Sequence, residues 1–88
     1  RDVITTVLQL ITIPKGSHTH RGSYGHLGRE LGIILKGKGC LKYENKEYIL
    51  NEGDSASFSA AVPHVLENVG DVDLQAIWVV TPAQRFVK

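Results

Sequence analysis

The chain has 88 residues, with ten Lys and Arg against nine Asp and Glu, so its formal net charge at pH 7 is +1. This length accommodates one domain, and this charge predicts neither a nucleic-acid-binding nor a membrane-binding surface. No apolar run approaches the roughly 18 residues of a membrane-spanning helix, and a single cysteine cannot form an internal disulfide. We therefore expect a small cytoplasmic domain. Such a short chain buries only about 60–65% of its unfolded surface, which favours oligomerisation.

The first strand-like run covers residues 3–13, which are rich in β-branched side chains and free of glycine and proline. Leu8 and Leu10 share one face of this run, and Gln9 and Ile11 share the other. Residues 14–16 end it as a turn. Residues 16–29 hold four of the nine glycines and three of the four histidines, which predicts a loop or short rim strands carrying functional groups.

Six further strand-like runs follow at short intervals, at residues 31–36, 39–43, 47–50, 55–58, 62–69 and 74–80. Run 31–36 is apolar enough for burial on both faces. Run 74–80 places Leu74, Ala76, Trp78 and Val80 on one face. Asn45 and Lys46 are predicted to form a two-residue hairpin turn, because asparagine tolerates positive φ. Helical spacing of apolar residues is missing throughout, so the sequence predicts an all-β sandwich or barrel.

One group of polar residues has the composition of a ligand or metal site. Tyr24, His26 and Glu30 have even spacing, so their side chains share one face of an extended chain, and His64 opens a later strand. Two imidazoles and a carboxylate are the ligand set of an open site for Fe²⁺, and they also suit Zn²⁺, Mn²⁺ or Ni²⁺. The alternative is a hydrogen-bonded polar cluster with no metal. Arg29 is either a partner for an anionic effector or an exposed side chain.

Other polar and aromatic residues leave two readings open. His18 and His20 are either exposed loop residues or alternative ligands. Trp78 and Tyr43 are either core or dimer-interface aromatics, or platforms on which a ligand stacks. Cys40 is expected to act as a small buried hydrophobe, since nothing near it in sequence predicts a lowered pKa.

The candidate residues resemble the two motifs of the cupins, a family of small jelly-roll barrels. The first cupin motif is roughly His-x-His, three or four residues, Glu, six residues and Gly. Glu30 and Gly37 match it, His26 matches its second histidine, and Tyr24 stands in place of the first. A neutral phenol is a poor metal ligand near pH 7, given a pKa of about 10. The second motif is matched by Gly53, Pro63, His64 and Asn68.

More narrowly, residues 24–37 and the run Ile-Trp-Val-Val-Thr-Pro resemble the C-terminal sensor domains of bacterial transcriptional regulators with a Cro/repressor-like helix-turn-helix. That resemblance implies a homodimer that contacts DNA only through an N-terminal domain. It also implies a small-molecule effector at the barrel mouth, bound by Tyr24, His26, Glu30 and His64. The chain begins at Arg1 and contains no methionine, so residues 1–88 are expected to be a single cupin domain cut from a longer protein.

The cupin resemblance also admits functions from other classes. One is a stand-alone metal-dependent enzyme, such as a non-haem iron oxygenase or an isomerase of a small polar substrate. In that case His26, Glu30 and His64 hold the metal and Tyr24 donates a proton or a hydrogen bond. Another is a binding module with neither a metal nor a partner domain.

Overall fold

The computed structural model describes residues 3, 5–19 and 28–81, and the secondary structure of these residues is entirely β. The seven strands are β1 (Val7–Ile13), β2 (Arg29–Lys36), β3 (Gly39–Tyr43), β4 (Lys46–Leu50), β5 (Ser55–Ser59), β6 (His64–Asn68) and β7 (Leu74–Thr81). The all-β prediction is therefore confirmed. Among the described residues, no helix is long and apolar enough to cross a membrane.

The strands form two antiparallel sheets that enclose one core. The first sheet has the order β1-β7-β2-β5, and the second has the order β4-β3-β6. Both sheets contribute side chains to a single hydrophobic cluster, as expected for a double-sheet jelly-roll sandwich. Its buried members are Ile13, Ile34, Leu41, Leu50, Phe58, Leu66, Leu74, Ala76 and Trp78.

Alternation along the two central strands of the four-stranded sheet decides which side chains enter the core. In β7, Leu74, Ala76 and Trp78 point inward, as the sequence pattern predicts. In β2 the inward positions include Glu30 and Ile34, whereas Leu31, Ile33 and Leu35 remain exposed. The expectation that run 31–36 is buried on both faces is thus wrong for the isolated chain, since only one sheet packs against this strand.

The β3–β4 hairpin turns one residue earlier than predicted. Tyr43 pairs with Lys46, so the turn residues are Glu44 and Asn45, and Glu44 takes the positive φ of 57°. This register also pairs Leu41 with Tyr48 on the inner face. The predicted turn would instead pair Leu41 with Leu50, which shares a face of β4 with Tyr48, so alternation along the strands does not separate the two registers.

Asn68, matched to the second cupin motif, has a structural role at the end of β6. Its buried side-chain amide donates to the carbonyl oxygens of Ile13 at 2.9 Å and Val72 at 2.8 Å, and its Oδ1 accepts from the backbone N–H of Gly70 at 2.9 Å. These bonds tie β6 to β1 and to the turn before β7. A buried amide is tolerated here because its donors and its acceptor are satisfied.

Candidate functional site

Two of the four predicted site residues meet between the sheets. Glu30 points inward from β2 and His64 points inward from β6, on the opposite sheet. The Glu30 Oε2 atom lies 3.0 Å from the His64 Nε2 atom, and only 3% and 9% of the two residues are exposed. Tyr24 and His26 lie outside the described residues, so their positions relative to this pair stay a prediction.

Trp78 holds the other oxygen of the Glu30 carboxylate. Its indole Nε1–H donates to Glu30 Oε1 at 2.7 Å. The indole lies over Gly32, its cross-strand partner, where an added Cβ would come within 2.0 Å of a ring carbon. The expectation of a core aromatic is confirmed for Trp78. The bond to Glu30 went unpredicted because it joins residues 48 positions apart, and only strand register brings them together.

The imidazole of His64 is fixed by its second nitrogen and by an aromatic neighbour. The Nδ1 atom lies 2.7 Å from the carbonyl oxygen of Val62. A carbonyl oxygen can only accept, so we assign a proton to Nδ1. The ring also packs edge-on against Phe58, with ring centroids 4.7 Å apart. Nε2 is therefore the nitrogen that faces Glu30.

Charge distribution within this pair follows from the contacts. Burial alone raises the pKa of Glu30, but the contacts with His64 and Trp78 outweigh it and hold that pKa below its ordinary value. Burial likewise lowers the pKa of His64, and the carboxylate of Glu30 together with the Val62 carbonyl outweighs it and raises that pKa. Each group therefore favours the charged form of the other, a carboxylate on Glu30 and an imidazolium on His64.

Glu30 Oε2 is nevertheless incompletely satisfied. It is buried and receives no aligned hydrogen bond from any described residue, so its contact with His64 Nε2 is a close ion pair. Buried carboxylate oxygens without a donor are uncommon and call for an explanation such as an ion or a ligand. The unmet acceptor is therefore the feature of this cluster that points to a bound group.

The donor atoms of the pair fit a divalent metal ion. Two ligand atoms bound at about 2.0–2.2 Å are about 3–3.5 Å apart for angles between a right angle and the tetrahedral angle, and Oε2 and Nε2 are 3.0 Å apart, at the lower end of this range. The remaining polar atoms of both side chains already have partners, as in metal sites whose ligands are oriented by outer hydrogen bonds. Within residues 3, 5–19 and 28–81, no group of three or more His, Cys, Asp or Glu could hold a metal ion. A third ligand is thus required from elsewhere.

A groove of about 350 Å³ opens beside this cluster, between the two sheets. Its lining includes Leu41, Tyr43, Tyr48, Leu50 and Phe58. Tyr43 and Phe58 are in edge contact, with ring centroids 5.3 Å apart. Phe58 therefore lines the groove and also contacts the ring of His64. Tyr43 is partly buried against the core and also lines the groove, so both interpretations of Tyr43 stay open.

The remaining polar candidates among the described residues make their contacts outside the Glu30–His64 pair. His18 is exposed, with Nδ1 2.6 Å from a neighbouring carbonyl oxygen, and His20 lies outside the described residues. Arg29 is exposed and donates to the Ser57 hydroxyl. Cys40 is buried, and burial followed by a nearby carboxylate raises the pKa of its thiol. The prediction that Cys40 is a small buried residue is therefore confirmed.

Sequence comparison assigns this arrangement to a family. The model of the cupin domain family matches residues 9–80. The chain belongs to the cupin family. Glu30 and His64 both lie within the matched region, and so do the unplaced Tyr24 and His26.

Individual cupin relatives are distant. An uncharacterized protein of Methanocaldococcus jannaschii is 29% identical over 65 residues, which cover 74% of this chain and 51% of that protein. The chain thus spans about half the length of this curated relative.

Two solved structures that share the fold have names that state an enzymatic activity. A predicted oxalate decarboxylase of Thermotoga maritima is 25% identical, with a TM-score of 0.77 and coverage of 86% of this chain and 65% of that one. A provisionally named sugar phosphate isomerase of Acidithiobacillus ferrooxidans is 28% identical, with a TM-score of 0.76 and coverage of 88% and 50%. The resemblance to regulator sensor domains has no counterpart among these relatives and stays a prediction.

Proposed function

We propose that this cupin domain binds a divalent metal ion through Glu30, His64 and His26, and uses it to hold a small anionic molecule. One observation carries the proposal. Glu30 Oε2 and His64 Nε2 lie 3.0 Å apart in a buried site, and Oε2 lacks a hydrogen bond from any described residue. A closed polar cluster without a ligand has no need of an unfilled acceptor.

The surrounding contacts support the same proposal. Trp78 and the Val62 carbonyl hold the outer atoms of the two ligands, so the free atoms keep their orientation without a metal. The sequence predicts His26 as the third ligand, and the same spacing predicts Tyr24 as a hydrogen-bond donor to the bound molecule. When bound, the metal supplies Lewis acidity toward a carboxylate or carbonyl oxygen.

An anionic, oxygen-rich ligand follows from the chemistry of such a centre. A divalent ion held by one carboxylate keeps a net positive charge, which attracts carboxylates and phosphates. The names of the two structural relatives refer to oxalate and to sugar phosphates, both small oxygen-rich anions. The groove beside Phe58 is apolar along most of its lining, so it suits the carbon skeleton of the molecule.

Sensing and turnover are the two uses of such a site. The resemblance to regulator sensor domains favours sensing, in which the effector shifts the packing of a dimer and so the spacing of DNA-binding domains. Regulation then requires that the effector bind the two dimer states with different affinity. The names of the structural relatives favour turnover as the second candidate. A helix-turn-helix encoded in the adjacent coding sequence would favour sensing over turnover.

Metal binding is tested first, by calorimetry after chelator treatment, with Mn²⁺, Zn²⁺, Ni²⁺ and anaerobic Fe²⁺ as probes. We expect one ion per chain in the wild type and a loss of binding of at least tenfold in Glu30→Gln and His64→Ala. His18→Ala is the matched control, because it removes an exposed histidine, and it should bind as the wild type does. Equal binding by His64→Ala and the wild type would refute the metal proposal.

Ligand binding is tested next by titrating oxalate and a sugar phosphate into metal-loaded and metal-free protein. Binding that needs the metal supports the proposal, and binding of equal strength without it contradicts the role given to the metal. Incubation with each compound, followed by product analysis, separates turnover from sensing.

A further inference from the structure

The space between the two sheets opens to solvent where strands β4 and β5 line the groove. β4 ends the order of the three-stranded sheet, and β5 ends the order of the four-stranded sheet. Tyr48 and Leu50 alternate onto the same face of β4 and both line the groove, yet 46% of Tyr48 is exposed, against 7% of Leu50. The interior is therefore accessible from this side, through a groove of about 350 Å³.

Among the described residues, those that line the groove include no charged side chain. Leucine, alanine and aromatic side chains form most of the lining, at Leu41, Tyr43, Tyr48, Leu50, Ala56 and Phe58, and two serines complete it. Its volume lies near the lower end of the roughly 300–1,000 Å³ of small-molecule sites. An uncharged, ring-lined groove of this size favours an apolar group as large as one aromatic ring or a short alkyl chain.

Strand register places the groove beside the candidate metal ligands. Phe58 is the cross-strand partner of Glu30, and Tyr43 is the cross-strand partner of His64. Such partners lie roughly 5 Å apart. A molecule with one end at the Glu30–His64 pair therefore meets the rings of Phe58 and Tyr43 after about 5 Å. It meets Tyr48, which lies one strand further out on β4, after roughly 10 Å.

We propose that the ligand of this site is a carboxylic acid with an apolar tail, an arylalkanoate or a medium-chain alkanoate, whose tail fills the groove. The position of the carboxylate rests on the proposed function, because it requires the positively charged metal centre. The nature of the tail rests on the groove alone. A sugar would set its hydroxyl groups against Leu41, Leu50 and Phe58, whose side chains cannot form hydrogen bonds. Oxalate has no tail and would leave the groove empty.

Two residues of the lining determine which tail fits. Ala56 has the smallest inward side chain of the lining and packs beside the core, so a larger side chain at this position would fill the groove. Tyr48 forms the outer wall, so its loss would expose the end of the tail to water. Neither residue contacts Glu30 or His64 in the structure, so both can be changed without altering the pair.

Calorimetry with a homologous series of acids tests the proposal. Acetate, butanoate, hexanoate, octanoate and 3-phenylpropanoate are titrated into Mn²⁺-loaded protein and into chelator-treated protein. In the loaded protein, the dissociation constant should fall about fourfold for each added methylene that is buried in the groove, and then level off. The phenyl acid should bind at least tenfold more tightly than acetate.

Variants of the lining locate the tail. Ala56→Leu and Tyr48→Ser should each reduce the preference for hexanoate over acetate at least fivefold and leave the affinity for acetate unchanged. Ile49→Ser is the matched control, because Ile49 neighbours Tyr48 on β4, is 51% exposed and does not line the groove. It should keep the full preference. Circular dichroism confirms that each variant is folded, and Tyr48→Ser decides if Ala56→Leu fails to fold.

The outcomes separate this inference from the proposed function. If the protein binds Mn²⁺ but its affinity for acids does not depend on chain length, the inference is overturned and the metal site stands. If chain length matters equally in loaded and chelator-treated protein, the groove does hold the tail and the metal has no role in binding the acid. A preference for hexanoate that survives in both lining variants places the tail elsewhere and overturns the inference, as does the absence of binding by every acid.

Discussion

Replacing Trp78 with phenylalanine isolates the hydrogen bond that links the core to the candidate site. Phenylalanine keeps an aromatic ring over Gly32 but has no N–H to donate to Glu30 Oε1, which the indole reaches at 2.7 Å. The carboxylate is then buried with one oxygen short of a donor, in addition to Oε2. We expect the variant to fold but to lose stability.

The size of that loss follows from two contributions. A hydrogen bond to a charged group contributes about 1.5–3 kcal/mol, and we take about 2 kcal/mol for the bond from Trp78 to Glu30. The smaller ring also removes about 40 Å² of buried apolar area, or about 1 kcal/mol at 25 cal/mol per Å². We therefore expect Trp78→Phe to lower the free energy of unfolding by about 3 kcal/mol. That is a large fraction of the roughly 5–15 kcal/mol of a typical domain.

A double-mutant cycle with Glu30→Leu separates the two contributions. Without the carboxylate, Trp78→Phe should cost only the packing part, so the coupling energy between the sites should be about 2 kcal/mol. Urea unfolding in the presence of a chelator measures each variant. Circular dichroism is the probe, because Trp78 is the only tryptophan. A coupling energy below about 0.5 kcal/mol would refute the argument that this bond stabilises the buried carboxylate.

Three further predictions concern the same interior. Gly32→Ala should destabilise the domain by about 1–3 kcal/mol and shift the fluorescence of Trp78, since the added Cβ meets the indole; unchanged fluorescence would contradict this. Asn68→Ala should lower stability by about 2–4 kcal/mol, because three backbone groups lose a partner, and Asn68→Asp, which cannot donate to two carbonyls, should be at least as damaging. Because folding lowers the pKa of Glu30, ionised Glu30 stabilises the fold fully above its unfolded pKa of about 4.3. This stabilisation is lost as the pH falls through the folded pKa. Because folding raises the pKa of His64, protonated His64 stabilises the fold fully below its unfolded pKa of about 6.5. This stabilisation is lost as the pH rises through the folded pKa. The urea midpoint should therefore be highest between about pH 4.5 and 6.5. In Glu30→Gln the midpoint should fall less on both the acid and the alkaline side of this range, and an identical pH profile in that variant would be evidence against the ion pair.

The strands were predictable because their determinants are local. Period-two alternation placed Leu74, Ala76 and Trp78 on the inner face of β7, and glycine- or asparagine-rich turns separated the other strands. The β3–β4 turn was predicted one residue too late, because both turn positions keep the same side chains of β4 on the inner face and only the pairing of the folded strands separates them. Side-chain alternation indicates which face of a strand points inward, but it does not fix the partner of each residue on the next strand.

For the candidate site, the motif spacing selected Glu30 and His64, and the structure brings these two together. The tryptophan that holds Glu30, the glycine that admits its ring and the phenylalanine against His64 were not predicted. Each of these contacts depends on which strands become neighbours. No spacing rule within one strand contains that information.

By itself, the sequence determined the β class of the chain, the approximate strands and the pair of ionisable residues with the chemistry of a ligand site. These follow from side-chain periodicity, turn propensity and donor type, which act over a few residues. Only the tertiary structure decided which face of β2 is buried, how the Glu30 carboxylate is shared between His64 and Trp78, and which sheet is left with an uncovered aliphatic surface. Those outcomes depend on pairing between distant strands, whose energy comes from burial and register summed over the whole sandwich.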